Sequence, residues 1–166
     1  MIGNVLQPSF YTTGVNGYPT KGILTGGLTL TGTFASTTTS PVIIGTGSKF
    51  KAELQCGDWL YSTTTNEVRR IKVIYSDLSI GLNKPFSSAA TTDNVIIARR
   101  GYPRNIVVRD TGSGGVTKLF GDNSNGSWNQ FSNGYATSYN NSESGINPMT
   151  YDASAANAQV SVTISY

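Results

Sequence analysis

"VIIGTGSKF", residues 42–50, is the stretch whose residue types come closest to an activity. A β-branched run enters a Gly-rich loop that ends in Lys49, the order in which a strand feeds a phosphate-cradling turn. A Walker A loop needs four residues between its first Gly and the Gly-Lys pair, so that several backbone N–H groups curl round one phosphate. Here Gly45 and Gly47 are one residue apart, Ser48 precedes Lys49, and Phe50 stands where a Ser or Thr would hold Mg²⁺. A dinucleotide loop would need glycine at position 50 and a helix behind it. The spacing therefore predicts a turn between strands, with Gly45 and Gly47 reversing the chain inside a small barrel and Phe50 plugging it.

Other routes to chemistry are few. The chain has no histidine, so neither a Ser-His-Asp triad nor a His-ligated metal can be assembled. Its single cysteine, Cys56, excludes an intrachain disulfide and a Cys-based zinc site, and reads as a small buried apolar residue. Glu53, Asp58, Asp77 and Asp93 are the carboxylates that a glycosidase pair would draw on. Each is equally explained as a turn former or as a partner for a nearby Lys or Arg. The expectation is a protein that is not an enzyme, with no catalytic residue, cofactor or metal. A polysaccharide-binding or polysaccharide-cleaving module stays open as a lesser alternative.

The elements that would position these residues are strands. Among 166 residues only 13% are charged, about half the usual share, and Thr, Ser, Asn and 19 glycines fill the gap. That mixture suits strands and tight turns and disfavours helices. In "ILTGGLTLTGTF" Leu28, Leu30 and Phe34 alternate with threonines. In "DWLYS" Trp59 and Tyr61 share a face, and in "KVIYS" Val73 and Tyr75 share another. "TTTN" reads as a hairpin loop, "DLSIGL" alternates Leu78, Ile80 and Leu82, and "AQVSVTISY" closes the chain as a strand. Strands of five to eight residues at regular spacing predict an all-β fold, a small barrel or sandwich. Residues 1–22 are expected to form an extended N-terminal arm, 23–100 the barrel-like module, and 101–166 a further C-terminal β region.

The arm, broken by Pro8, Gly14, Gly17 and Pro19 yet carrying Phe10 and Tyr11, is too irregular for a regular element and too aromatic for a solvated tail. It orders against a neighbouring surface or frays. In the C-terminal region Trp128, Phe131 and Tyr135 recur at helical spacing, but Asn125-Gly126 and Asn133-Gly134 turn the chain, so a long aromatic-anchored loop is expected. Phe10, Tyr11, Trp128, Phe131 and Tyr135 are candidate interface anchors, since aromatics are enriched at binding hot spots. Ordinary core packing would explain them as well.

The net charge of +3 is small, and ten of the twelve cationic residues lie between Lys49 and Arg109 with five of the nine acids among them. Solvated strand faces and ion pairs explain that mixture, and no nucleic-acid partner is expected. Nothing approaches a membrane span. The start lacks a signal peptide's basic and apolar regions, so synthesis in a cytoplasm is expected.

Residues 45–88, "GTGSKFKAELQCGDWLYSTTTNEVRRIKVIYSDLSIGLNKPFSS", carry a G-T-G-x-x-F turn followed by E-L-x-x-G-D, E-x-R-x-I and S-D-x-x-L strands (Ile80 stands at the last position) and a final Phe86-Ser87. This order, over about a quarter of the chain, resembles a module of tailed-bacteriophage virion proteins. "PMTYDA" before the closing strand also looks like the terminal segment of some phage structural proteins. The resemblance implies a barrel-like assembly module with no catalytic residues. With the arm and the aromatic loop, it leads to the expectation of a capsid decoration (cement) protein of the virion, assembled in the host cytoplasm. Its partners would be the major capsid protein and copies of itself. A tail, collar or head-fibre component is the alternative.

Overall fold

The computed structural model describes residues 9–13, 21–23, 27–98, 105–110, 117–120, 129–131, 136–140, 148–152 and 160–165. The protein is all-β, built round a closed six-stranded antiparallel barrel. Its strands are β3 (Leu28–Ser36), β4 (Val42–Thr46), β5 (Trp59–Ser62), β6 (Glu67–Ser76), β7 (Ser79–Leu82) and β8 (Ala90–Ala98), in the order β3-β4-β7-β6-β5-β8. β8 pairs back onto β3 to complete the ring. Closure matters because it removes the free strand edges that otherwise invite pairing with another chain.

The interior is filled by the inward half of each alternation. Phe34, Ile43, Leu60, Ile71, Ile80, Leu82, Val95 and Ile97 are all buried in one cluster. Phe50, on the single helical turn α1 (Phe50–Glu53), and Phe86 enter the same cluster, so the expected plug is present. The hairpin loop expected at "TTTN" is the turn between β5 and β6.

Gly45 sits where the β4 backbone meets its own following turn. A Cβ there would lie 2.8 Å from the Phe50 ring and collide with the Ser48 hydroxyl, so no larger residue fits. Gly47, at φ +63°, makes the left-handed turn itself and faces open space.

Two further sheets are built mainly from the C-terminal residues. One has the order β1-β14-β9-β12, from β1 (Ser9–Thr13), β14 (Val160–Ser165), β9 (Asn105–Asp110) and β12 (Ala136–Asn140). The other has the order β11-β10-β13-β2, from β11 (Asn129–Phe131), β10 (Thr117–Phe120), β13 (Thr150–Asp152) and β2 (Lys21–Ile23).

Several expectations are corrected here. The first 22 residues contain strand structure. β1 pairs with β14, and β2 pairs with β13, each completing the edge of a sheet whose other strands come from residues 105–165. A paired edge strand needs only one satisfied ladder, which a short segment flanked by Pro and Gly can supply. The expected aromatic loop is interrupted by β11 and β12. Cys56 is exposed, because the Gln55–Asp58 turn points it outward, Leu78, expected on a buried face with Ile80, is half exposed in the β6–β7 turn, and Leu28, expected on the inward face with Leu30 and Phe34, is half exposed at the start of β3.

The barrel joins the second sheet through an apolar cluster and a polar latch. Trp59, Tyr61 and Val68, on the outer barrel face, pack with Ile23 of β2 and with Ala98. Asn66, held at φ +55°, accepts a hydrogen bond from the Tyr61 hydroxyl (2.9 Å) and donates one to the Tyr151 carbonyl (3.0 Å). Its own carbonyl accepts from the Thr150 hydroxyl at 2.7 Å.

Candidate interaction surface

The carboxylates that could have formed a catalytic pair are each engaged in holding a turn or a strand end. Glu53 accepts two hydrogen bonds from Thr31, from its hydroxyl at 2.6 Å and its backbone N–H at 3.0 Å. Those bonds, the side-chain one foremost, hold its carboxyl below the usual carboxylate range. Asp58 accepts from the Gln55 N–H at 2.9 Å and Asp77 from the Lys51 N–H at 2.8 Å. Asp93, 3% exposed, accepts from the hydroxyls of Ser62 (2.6 Å) and Thr63 and from the Thr64 N–H (3.3 Å), which fastens β8 to the β5–β6 turn. Among the described residues no group of three or more acidic or cysteine side chains could hold a metal ion.

Glu67 and Arg69 form an ion pair of 2.9 Å with side chains only 9% and 2% exposed. The Arg69 guanidinium also donates to the carbonyls of Pro85 (3.0 Å) and Val68 (2.9 Å) and lies 5.3 Å from the centre of the Phe86 ring. Glu67 accepts from the Ser87 N–H at 3.0 Å. The pair thus ties the 85–87 segment across the barrel, and both charges face the protein.

On its outer side the barrel exposes apolar side chains. On β4 the pattern alternates strictly: Ile43 is fully buried while Val42 and Ile44 are 36% and 53% exposed. Val42 stands opposite Gly81 of β7, and Gly81 stands opposite Val73 of β6. The Gly81 backbone forms the floor of this face. A Cβ there would lie 2.7 Å from a Val73 methyl and 3.2 Å from the Tyr75 hydroxyl, so the Tyr75 side chain lies over a position that only glycine leaves free. Tyr75 is 56% exposed and Leu78, beside it in the turn, 50%. The turn is tied to β4, where the Gly45 N–H donates to the Leu78 carbonyl at 2.9 Å. Val42, Ile44, Val73, Tyr75 and Leu78 therefore make one apolar face across β4, β7 and β6.

Of the expected anchors, Phe10 and Tyr11 lie on β1, opposite Thr163 and Val162 of β14. Phe131 lies on β11, opposite Thr117 of β10. Trp128 and Tyr135 lie outside the described residues. The sequence did contain a signal for the face that was missed. "VII" at 42–44 is apolar on both sides of a strand, whereas β3 carries threonines outward, and a strand apolar on both sides is either covered or exposes an apolar patch.

No protein-family model, curated protein or solved structure matches the chain.

Proposed function

We propose that the chain is a non-enzymatic structural protein of a tailed-phage virion, a capsid decoration protein that binds and stabilises the shell. The observation that carries this reading is the apolar face left exposed on a closed barrel whose described carboxylates are engaged internally. A closed ring cannot recruit a partner by adding a strand, so contact through this face is made by side-chain packing. The resemblance of residues 45–88 to a virion module supports the same reading. Immunogold labelling of intact particles tests it. Label over the head surface is expected. Label confined to the tail would replace the decoration role with a tail or collar role, and unlabelled particles would remove the virion reading altogether. Binding or cleavage on a glycan array would favour a carbohydrate module.

A further inference from the structure

We propose that the apolar face formed by Val42, Ile44, Val73, Tyr75 and Leu78 docks a different protein whose matching surface is apolar at its centre and acidic at its rim. The inference rests on the assembly role proposed above and names the chemistry of the partner. Its central argument is the distribution of charge over the barrel. Of the carboxylates on residues 27–98, Asp58, Glu67 and Asp93 are buried, Glu53 is partly buried and held by Thr31, and Asp77 alone is exposed, with its Oδ1 taken by the Lys51 N–H. The cations are arranged the other way. Only Arg69 is buried, while Lys49, Lys51 and Lys72 are exposed and Arg70 and Lys84 are partly so.

Lys72 precedes Val73 at a β6 bulge, and Lys49 and Lys51 flank the turn that meets Asp77 and Leu78. The face is therefore set in a cationic barrel surface. A second copy docking through the same patch would bring two such surfaces together, and like charges across an interface are unfavourable. An acidic rim removes that repulsion and adds attraction that speeds encounter. Nucleic acid fits poorly, because Tyr75 is the one aromatic of the face and Val42, Ile44 and Leu78 beside it would be buried against a polar backbone. The Gly81 floor, which seats Tyr75 before any partner arrives, lowers the ordering cost of an aromatic anchor.

The test is photocross-linking of the full chain in assembled particles. Ile44→p-benzoylphenylalanine is compared with Thr29→p-benzoylphenylalanine on the threonine-lined β3 face. The expected result is a cross-link from position 44, absent from position 29, to a peptide of another protein with acidic residues beside the attachment point. Lys72→Glu in the position-44 background should lower the yield about tenfold, with an unchanged melting temperature. A cross-link to a second copy, to nucleic acid or to lipid overturns the proposal, as does a yield indifferent to Lys72→Glu. The two readings fail separately. An acidic partner that is not a head protein leaves the docking face standing and refutes the decoration role. Heads that bind an Ile44→Asp, Tyr75→Ser chain as tightly as the native one refute the face and leave the role.

Discussion

The Glu67–Arg69 pair gives a sharp test of how the barrel is held. Glu67→Ala removes the carboxylate from a guanidinium whose side chain is 2% exposed and strips the Ser87 N–H of its acceptor. Breaking a buried pair from one side costs about 3–5 kcal/mol, because the remaining charge has lost its counter-ion. For a chain of this length each kcal/mol lowers the melting midpoint by about 2–4 °C, so a fall of about 6–20 °C is expected. Arg69→Met should cost a similar amount, since it leaves the carboxylate buried and also frees the Pro85 and Val68 carbonyls. The double variant, Glu67→Ala with Arg69→Met, leaves neither charge of the pair buried. It leaves three backbone groups to account for, the Pro85 and Val68 carbonyls and the Ser87 N–H, each about 1 kcal/mol, and should lie about 2–4 kcal/mol below the native protein. Urea melts followed by circular dichroism on all four proteins close the cycle. Costs that simply add would show that the two side chains act independently, and would refute the clamp.

The opening turn makes a paired prediction: Gly47→Asn should be nearly silent because Asn tolerates the left-handed region and the site is open, whereas Gly45→Ala should cost about 1–3 kcal/mol by overpacking against Phe50 and Ser48. Mg-ATP should leave the melting temperature unchanged, and stabilisation by it would restore the phosphate-loop reading. At the latch, burial foremost pushes the phenols of Tyr61 and Tyr151 up to about 12 from 10.0. A folded-state pKa above the unfolded one gives stability that is complete below pH 10.0 and is lost as pH rises towards about 12. Tyrosinate absorbance should therefore show a late-titrating set that appears together with loss of structure, and titration of every tyrosine near the ordinary value would count against a buried latch.

The barrel was legible because its information is local. Period-two alternation through Leu30 and Phe34, through Ile43 and through Ile80–Leu82 states which side of each strand faces inward, and the hairpin residues state where the chain turns. The N-terminal strands were illegible for the opposite reason. β1 and β2 are held by β14 and β13, partners about 150 and 130 residues away, and nothing within residues 1–22 encodes that pairing. Cys56 was misread because burial was inferred from residue type, while the Gln55–Asp58 turn determines which way it points. The apolar face was partly legible. Val42 and Ile44 advertise it, but Tyr75 joins them only through the β4-β7-β6 order and the glycine at position 81.

The structure also explains why the motif elements between residues 45 and 88 come as a set. Each element is one half of a contact whose other half is another element. The Gly45 N–H donates to Leu78, and Ser48 and Phe50 both donate to the Asp77 carbonyl, so the G-T-G-x-x-F turn closes on the Ser76-Asp77 turn. Gly57 and Asp58 exchange backbone bonds with Ile71, which locks the E-L-x-x-G-D segment onto the E-x-R-x-I strand. Glu67 and Arg69 of that strand in turn grip Pro85 and Ser87. Such residues specify a closed scaffold. The side chains of Val42, Ile44, Lys72, Val73, Tyr75 and Leu78 take part in none of these hydrogen bonds. On the docking role proposed above, partner choice would belong to these outward positions, and Ile44→Asp with Tyr75→Ser should abolish docking while leaving the melting temperature unchanged.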